Sequence, residues 1–154
     1  RHSSQDYMHM AYLEALQSYE EGGVPVGAVM VDDTTGEVLG KGYNRRVQDN
    51  NPVSHGETDC MKNVGRLPGS RYKNVTMYTT LSPCMMCSGT IVQFGIPRVC
   101  VGEADSFAGN LDFLQQRGVN VHNLQSDECK VLMTKFIKEK PDLWNEDIAE
   151  TNDP

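Results

Sequence analysis

Two short stretches hold the residues with chemical potential. "SHGETDC" (residues 54–60) sets His55 two positions before Glu57, and "LSPCMMCSG" (residues 81–89) sets Cys84 three positions before Cys87, behind Pro83. Each has a plain structural reading. Ser54-x-x-Glu57 fits a capping box, and Ser82-Pro83 fits an N-cap followed by proline at the first helical position. Those readings leave His55, Cys84 and Cys87 without a purpose. Residues three apart on a helix share a face, so both sulfurs can meet one ion. The positive end of the helix lowers thiol pKa values and favours thiolates. Two thiolates and an imidazole suit zinc, one ion per chain, held by His55, Cys84 and Cys87. Three protein ligands leave a fourth position for water, whose pKa zinc lowers towards ~7. Glu57 then acquires a task, taking that water's proton and handing it on.

A structural zinc site would need a fourth ligand, and no second C-x-x-C or H-x-x-x-H supplies one. A lone C-x-x-C also serves thiol oxidoreductases, which keeps a redox use of Cys84 and Cys87 as an alternative. H-x-E upstream, with proline directly before the first cysteine, is more specific. The combination H-x-E…P-C-x-x-C resembles the signature of zinc-dependent nucleobase deaminases.

These residues need rigid supports, and the patterning provides them. Met8, Ala11, Tyr12, Ala15, Leu16 and Tyr19 recur in steps of three and four, predicting a helix over 7–19 stopped by Gly22-Gly23. "VPVGAVMV" reads as a strand buried on both faces, and "EVLGKGY" as its hairpin partner after the turn "DDTTG". A helix follows over 55–64, then the strand "VTMYTTL", a helix over 83–94, the strand "RVCVG", a helix over 111–116, the strand "VNVHNL" and a helix over 127–138. "PDLWNEDI" is a short acidic and aromatic tail. Strands alternating with helices predict an α/β sandwich, a mixed sheet of about five strands with helices on both faces. Sites in such folds gather where strands enter helices, which is where both motifs sit.

Composition sets the remaining bounds. The 154 residues suit one domain, with residues 1–4 left out of the fold as an expression remnant or disordered end. No apolar run approaches the roughly 20 residues that span a bilayer. Five cysteines, an odd number with two in C-x-x-C, favour a reducing compartment: the cytoplasm, with a nuclear fraction left open. The net charge is −7 and Arg45-Arg46 is the one adjacent basic pair, so the basic stripe of a polynucleotide binder is missing. A small uncharged or cationic ligand fits better. His2, His9 and His122 read as surface residues, and Cys60, Cys100 and Cys129 as buried thiols.

Beyond the two motifs, residues 7 to 150 resemble the fungal-type cytosine deaminases. The shared stretches are "EGGVPVG", "HGE", "GRLPG", "YTTLSPC" with "MC" following, "GIPR", "VGE" and "KFIKEKPDLWNEDI". The resemblance implies a three-layer α/β/α fold, a homodimer, and hydrolysis of free cytosine to uracil and ammonia in pyrimidine salvage. It implies that His55, Cys84 and Cys87 bind zinc, and that the activated water attacks C4 with Glu57 as proton shuttle. It places Asn44 and the Gly56 amide on the O2/N1 edge, and Asp147 and the Ser82 carbonyl on the exocyclic amine. Phe107 and Trp144 would pack on the ring, residues 141–150 forming a C-terminal lid. Tyr43, Val47, Met85 and "TDCM" (58–61) depart from the family pattern. Guanine and isocytosine are alternative substrates. Editing of tRNA adenosine is a more distant one, opposed by the acidic balance.

Overall fold

The computed structural model describes residues 2–150. Along them run α1 (Ser4–Glu20), β1 (Gly27–Asp32), β2 (Val38–Tyr43), α2 (Gly56–Val64), α3 (Gly69–Tyr72), β3 (Val75–Leu81), α4 (Met85–Phe94), β4 (Arg98–Glu103), α5 (Leu111–Gln116), β5 (Asn120–Asn123), α6 (Asp127–Glu139) and α7 (Pro141–Asp147). The chain start departs from expectation. Ser3 caps α1, its hydroxyl accepting from the Asp6 amide while the Asp6 carboxylate accepts from the Ser3 amide. Residues 3 and 4 therefore belong to the fold. The tail departs as well, forming a helix with Pro141 in its first turn, where the missing N–H costs nothing.

The five strands form one sheet in the order β2-β1-β3-β4-β5. β1 runs antiparallel to β2 and β3, while β3, β4 and β5 are parallel, with α4 and α5 as crossover helices. Side chains alternate across the sheet with period two. Ala28, Met30, Met77, Val99 and Val101 face one side, against Cys60 of α2, Ile91 of α4 and Leu114 of α5. Val29, Val31, Tyr78 and Cys100 face the other, against Tyr7, Met8 and Ala11 of α1 and Cys129 of α6. The result is the three-layer α/β/α sandwich that the alternation of elements predicts. No helix among the described residues is long and apolar enough to cross a membrane.

One close approach sets the position of α2. A Cβ on Gly42 would lie 2.3 Å from the Cys60 amide nitrogen, so only glycine lets α2 rest directly on β2. The start of α2 is thereby brought to the sheet end where β1 begins and β2, β3 and β4 finish. A third apolar cluster, Val24, Val26, Leu81, Met133, Phe136 and Trp144, packs at that same end.

Candidate functional site

Both structural readings of the motifs miss the helix starts. The N-cap of α2 is His55, one residue after Ser54, and the Thr58 hydroxyl accepts the His55 amide at 2.9 Å. Glu57 is therefore free of any capping duty. The N-cap of α4 is Cys84, whose sulfur accepts the Cys87 amide at 3.5 Å. Ser82 instead donates its hydroxyl to the Ala108 carbonyl at 2.8 Å and so pins the loop carrying Phe107. Two helices thus begin at the residues proposed as metal ligands, directing His55 and Cys84 towards one another with Cys87 one turn along.

The donor atoms of His55, Cys84 and Cys87 all lie within 4.8 Å of one another, the one His/Cys/Asp/Glu group among the described residues that converges in this way. His55 Nδ1 is 3.5 Å from Cys84 Sγ and 3.7 Å from Cys87 Sγ. Tetrahedral zinc with ordinary bond lengths separates nitrogen and sulfur ligands by about 3.6 Å. The donor set and its spacing fit zinc. Cys84 is held down to about 4, first by the hydrogen bond from the Cys87 thiol and further by His55, so a thiolate is at hand. The same hydrogen bond and burial push Cys87 up, and binding a metal would displace its proton. Burial pulls His55 down, but its hydrogen bond with Cys84 and the nearby carboxylates turn the net shift upward. His55 Nε2 faces Asp147 Oδ1 at 3.8 Å, so a carboxylate stands behind the ring as is usual for ligating histidines.

Beside this triad lies a cavity of about 20 Å³, roughly the space of one water. Its apolar walls are Val26, Leu81, Phe107 and Ile148; its polar groups include Asn44, Glu57, Ser82 and Asp147. Glu57 is 3% exposed, and burial, reinforced by the Cys84 charge, raises its carboxyl to about 7. Asn44 is held rigidly through its backbone, its amide donating to Val26 O at 2.8 Å and its carbonyl accepting the Ser18 hydroxyl at 2.6 Å. Its side-chain Nδ2 donates to Asp147 Oδ1 at 2.8 Å, and its Oδ1 accepts the Arg46 amide at 3.0 Å. One N–H and one lone pair of that amide remain for a ligand. Burial raises the Asp147 carboxyl, opposed by His55, Asn44 and Arg46.

Seven predicted residues other than the zinc ligands therefore have defined places. Asn44, Glu57, Ser82, Phe107 and Asp147 line the cavity. Trp144 stands one layer back, buried against Val24, Val26 and Phe136 and meeting the edge of Phe107 at 6.1 Å between ring centroids. Gly56 is not among the residues lining the cavity; its Cα is too close to the Val26 carbonyl for a Cβ. Sequence reasoning missed Val26, Leu81 and Ile148 as lining residues. Ile148 follows Asp147 in "NEDI", and an apolar residue beside a pocket carboxylate was the available signal. The departures from the family pattern lie outside the cavity: Tyr43 turns to Glu21 and Arg45, while Val47 and Met85 are exposed.

Residues 1–103 match the zinc-binding region of cytidine and deoxycytidylate deaminases. A cytosine deaminase of Candida albicans is 50% identical over 145 residues, covering 93% of this chain and 95% of its own. A tRNA-specific adenosine deaminase of Streptococcus pyogenes serotype M1 is 30% identical across 96% of this chain and 93% of its own. A solved guanine deaminase from Nitrosomonas europaea superposes with a TM-score of 0.75, covering 88% of this chain and 85% of its own, at 18% identity, a likeness of fold alone.

Proposed function

The chain belongs to the zinc-binding cytidine and deoxycytidylate deaminase family, and from that premise we infer that it hydrolyses free cytosine to uracil and ammonia. The observation carrying the choice of base is the 50% identity with a cytosine deaminase along 93% of the chain. The pocket agrees in character, with polar groups converging between the apolar walls Val26, Leu81, Phe107 and Ile148.

His55, Cys84 and Cys87 hold the zinc, which when bound supplies a Lewis acid that makes water a nucleophile near neutral pH. Glu57, buried and with its carboxyl near 7, exchanges protons at working pH. It accepts a proton from the attacking water and delivers it to ring N3 as oxygen bonds to C4. It then carries the second proton to the exocyclic nitrogen, the C4–N bond breaks and ammonia leaves. Asn44, with the Gly56 amide, reads the O2/N1 edge of the ring. Asp147 and the Ser82 carbonyl receive the exocyclic amine. Phe107 packs on the ring, Trp144 backs Phe107, and residues 141–150 form the lid that excludes water.

The tRNA-directed relatives suggest a polynucleotide substrate as a second reading. The net charge of −7 and the carboxylates of Glu146 and Asp147 at the pocket mouth oppose it, because phosphate neutralisation supplies most polynucleotide affinity. The protein works as a homodimer on a small nucleobase, away from membranes, in cytoplasmic pyrimidine salvage. Support for pairing comes from Val53, Met85 and Phe94, large apolar side chains left exposed at the start of α2 and at the two ends of α4. A panel of cytosine, isocytosine, guanine, adenine and their nucleosides, read by ammonia release, tests the assignment. Cytosine should lead; turnover confined to guanine or adenosine would replace it.

A further inference from the structure

Arg46 has no part in the chemistry above, yet its side chain faces both carboxylates at the end of α7. It lies two residues beyond Asn44, with its side chain 11% exposed. Its Nη1 is 3.3 Å from Glu146 Oε1, an ion pair without hydrogen-bond alignment, and its Nε is 3.9 Å from Asp147 Oδ1. Nε also donates to the Pro52 carbonyl at 3.3 Å, which fixes the guanidinium to its own loop. The backbone amide of the same residue donates to Asn44 Oδ1 at 3.0 Å. One residue therefore grips the last two residues of α7 and orients the Asn44 amide.

The cavity beneath α7 has room for about one water and far less than a pyrimidine ring needs. Two of its walls, Val26 just before β1 and Leu81 at the end of β3, sit in the packed core, whereas Asp147 and Ile148 come from the end of α7. The same Asp147 and Ile148 also line the open groove outside, so a base entering from that groove passes them. The Arg46 contacts to Glu146 and Asp147 exist only while α7 is down. The Glu146 pair is weak because that carboxylate is 60% exposed, but Asp147 is 8% exposed and its pairing is little screened.

We propose that Arg46 is a positioning residue, a latch that holds α7 closed over the bound base by gripping Glu146 and Asp147. The proposal rests on the reading of this cavity as the substrate site. Arg46 reaches no reacting atom; it acts through Asp147 and through the time the lid remains shut. The forked, planar guanidinium reaches two carboxylates and a carbonyl at once, which a single ammonium does not.

The test uses zinc-loaded protein with three side chains at this position. In Arg46→Gln, KM for cytosine should rise by about tenfold, the order expected for losing one partly buried charge pair, with kcat within about threefold of wild type. Arg46→Lys should fall between the two, and it carries the test if the glutamine variant fails to fold. Chymotrypsin cleavage at Leu143 and Trp144, followed without cytosine, should be faster in Arg46→Gln at unchanged zinc content. Unchanged KM with wild-type tail protection overturns the latch, as does a fall in kcat at unchanged KM. Were the wild type inactive on cytosine, the substrate reading would fail, while faster tail cleavage in Arg46→Gln would still support the latch.

Discussion

Asn44 donates its side-chain amide to Asp147 Oδ1 at 2.8 Å, joining the loop after β2 to the last residue of α7 across 103 positions. The amide proposed to read the base and the helix proposed as its lid are thus one bonded unit. Groups that share a partner lose additivity when removed together. Asn44→Ala and Asp147→Ala should each lower kcat/KM for cytosine by about 10²-fold or more, the scale of losing a hydrogen bond to a buried charged group with its desolvation penalty. The double variant should lose much less than the product of the two. Steady-state kinetics on the four proteins measure this, and strictly multiplicative losses would mean that the two residues act separately.

Zinc should copurify at one ion per chain, and Cys87→Ala should lose both metal and activity. The ligand set is preorganised by two N-caps, so the fold presents the donors at zinc spacing. Elemental analysis beside an activity assay is the check. Full activity in a zinc-free preparation would overturn the assignment.

Glu57→Gln should keep zinc and lose about 10²–10⁴ in kcat, the usual worth of positioned acid–base catalysis. The structure removes the capping reading, under which this change would be silent, because Thr58 and not Glu57 meets the exposed amide of the N-cap. A stability effect should accompany it. Burial raises the Glu57 carboxyl from 4.5 to about 7 in the metal-free fold, so between those values the folded protein holds a proton that the unfolded chain has released. The contribution of Glu57 to the stability of the metal-free fold therefore falls as pH rises through that window and stays lower above it, and the comparison with a variant lacking this carboxyl isolates it from the opposite contribution of Cys84. Glu57→Gln removes the titration and should be more stable than wild type at pH 8 by about 3 kcal/mol, with the gain shrinking towards pH 4.5. Denaturant melts of metal-free protein at several pH values decide it; a pH-independent difference would place the group elsewhere.

Much of this was legible because the two periodicities carry packing information. The strands Val75–Leu81 and Arg98–Glu103 were marked by β-branched content, and the helix stops by Gly65 and Gly95. The metal triad was legible because its chemistry depends on residue type and local spacing. What sequence could not supply was which residue turns the corner into a helix. Ser54 and Ser82 have the better intrinsic capping preference, yet His55 and Cys84 occupy the caps, since the loops before them are set by Thr58 and Ala108. Long-range pairings were equally hidden. Nothing local joins Arg46 or Asn44 to α7, and the seven residues of α7 gave too short a pattern to separate a helix from a tail.

The burial of Trp144 changes what a truncation should do. Removing the chain from Pro141 onward strips this indole from Val24, Val26 and Phe136, so it should cost about 3–5 kcal/mol of stability besides turnover. A chain ending at Glu146 keeps Trp144 but lacks Asp147 and Ile148. It should melt close to the full-length protein and lose about 10²-fold or more in kcat/KM, because the pocket is then open and without its carboxylate. Thermal melts and kinetics on both truncations separate core from lid. Near wild-type turnover by the shorter-tailed protein would show that the end of α7 does not close the site.

Cytosine should be a far better substrate than cytidine. N1 carries the ribose in a nucleoside, and in the proposed binding mode the remaining lone pair of the Asn44 amide accepts from an N1–H. With Asn44 1% exposed and its other groups bonded to Asp147 and Arg46, that amide has no freedom to turn aside from a sugar. Sites built around a buried hydrogen bond discriminate by about 10⁴ against ligands that cannot form it. Steric closure works in the same direction, since Ile148 and Phe107 wall a narrow cavity. Tyr43 and Val47, departures that could have reshaped the pocket, do not line it, and Met85 lines only the groove at its mouth, so the discrimination should rest on Asn44. Competition between the two substrates in one reaction mixture gives the ratio of kcat/KM directly. Comparable values would mean that Asn44 does not face N1.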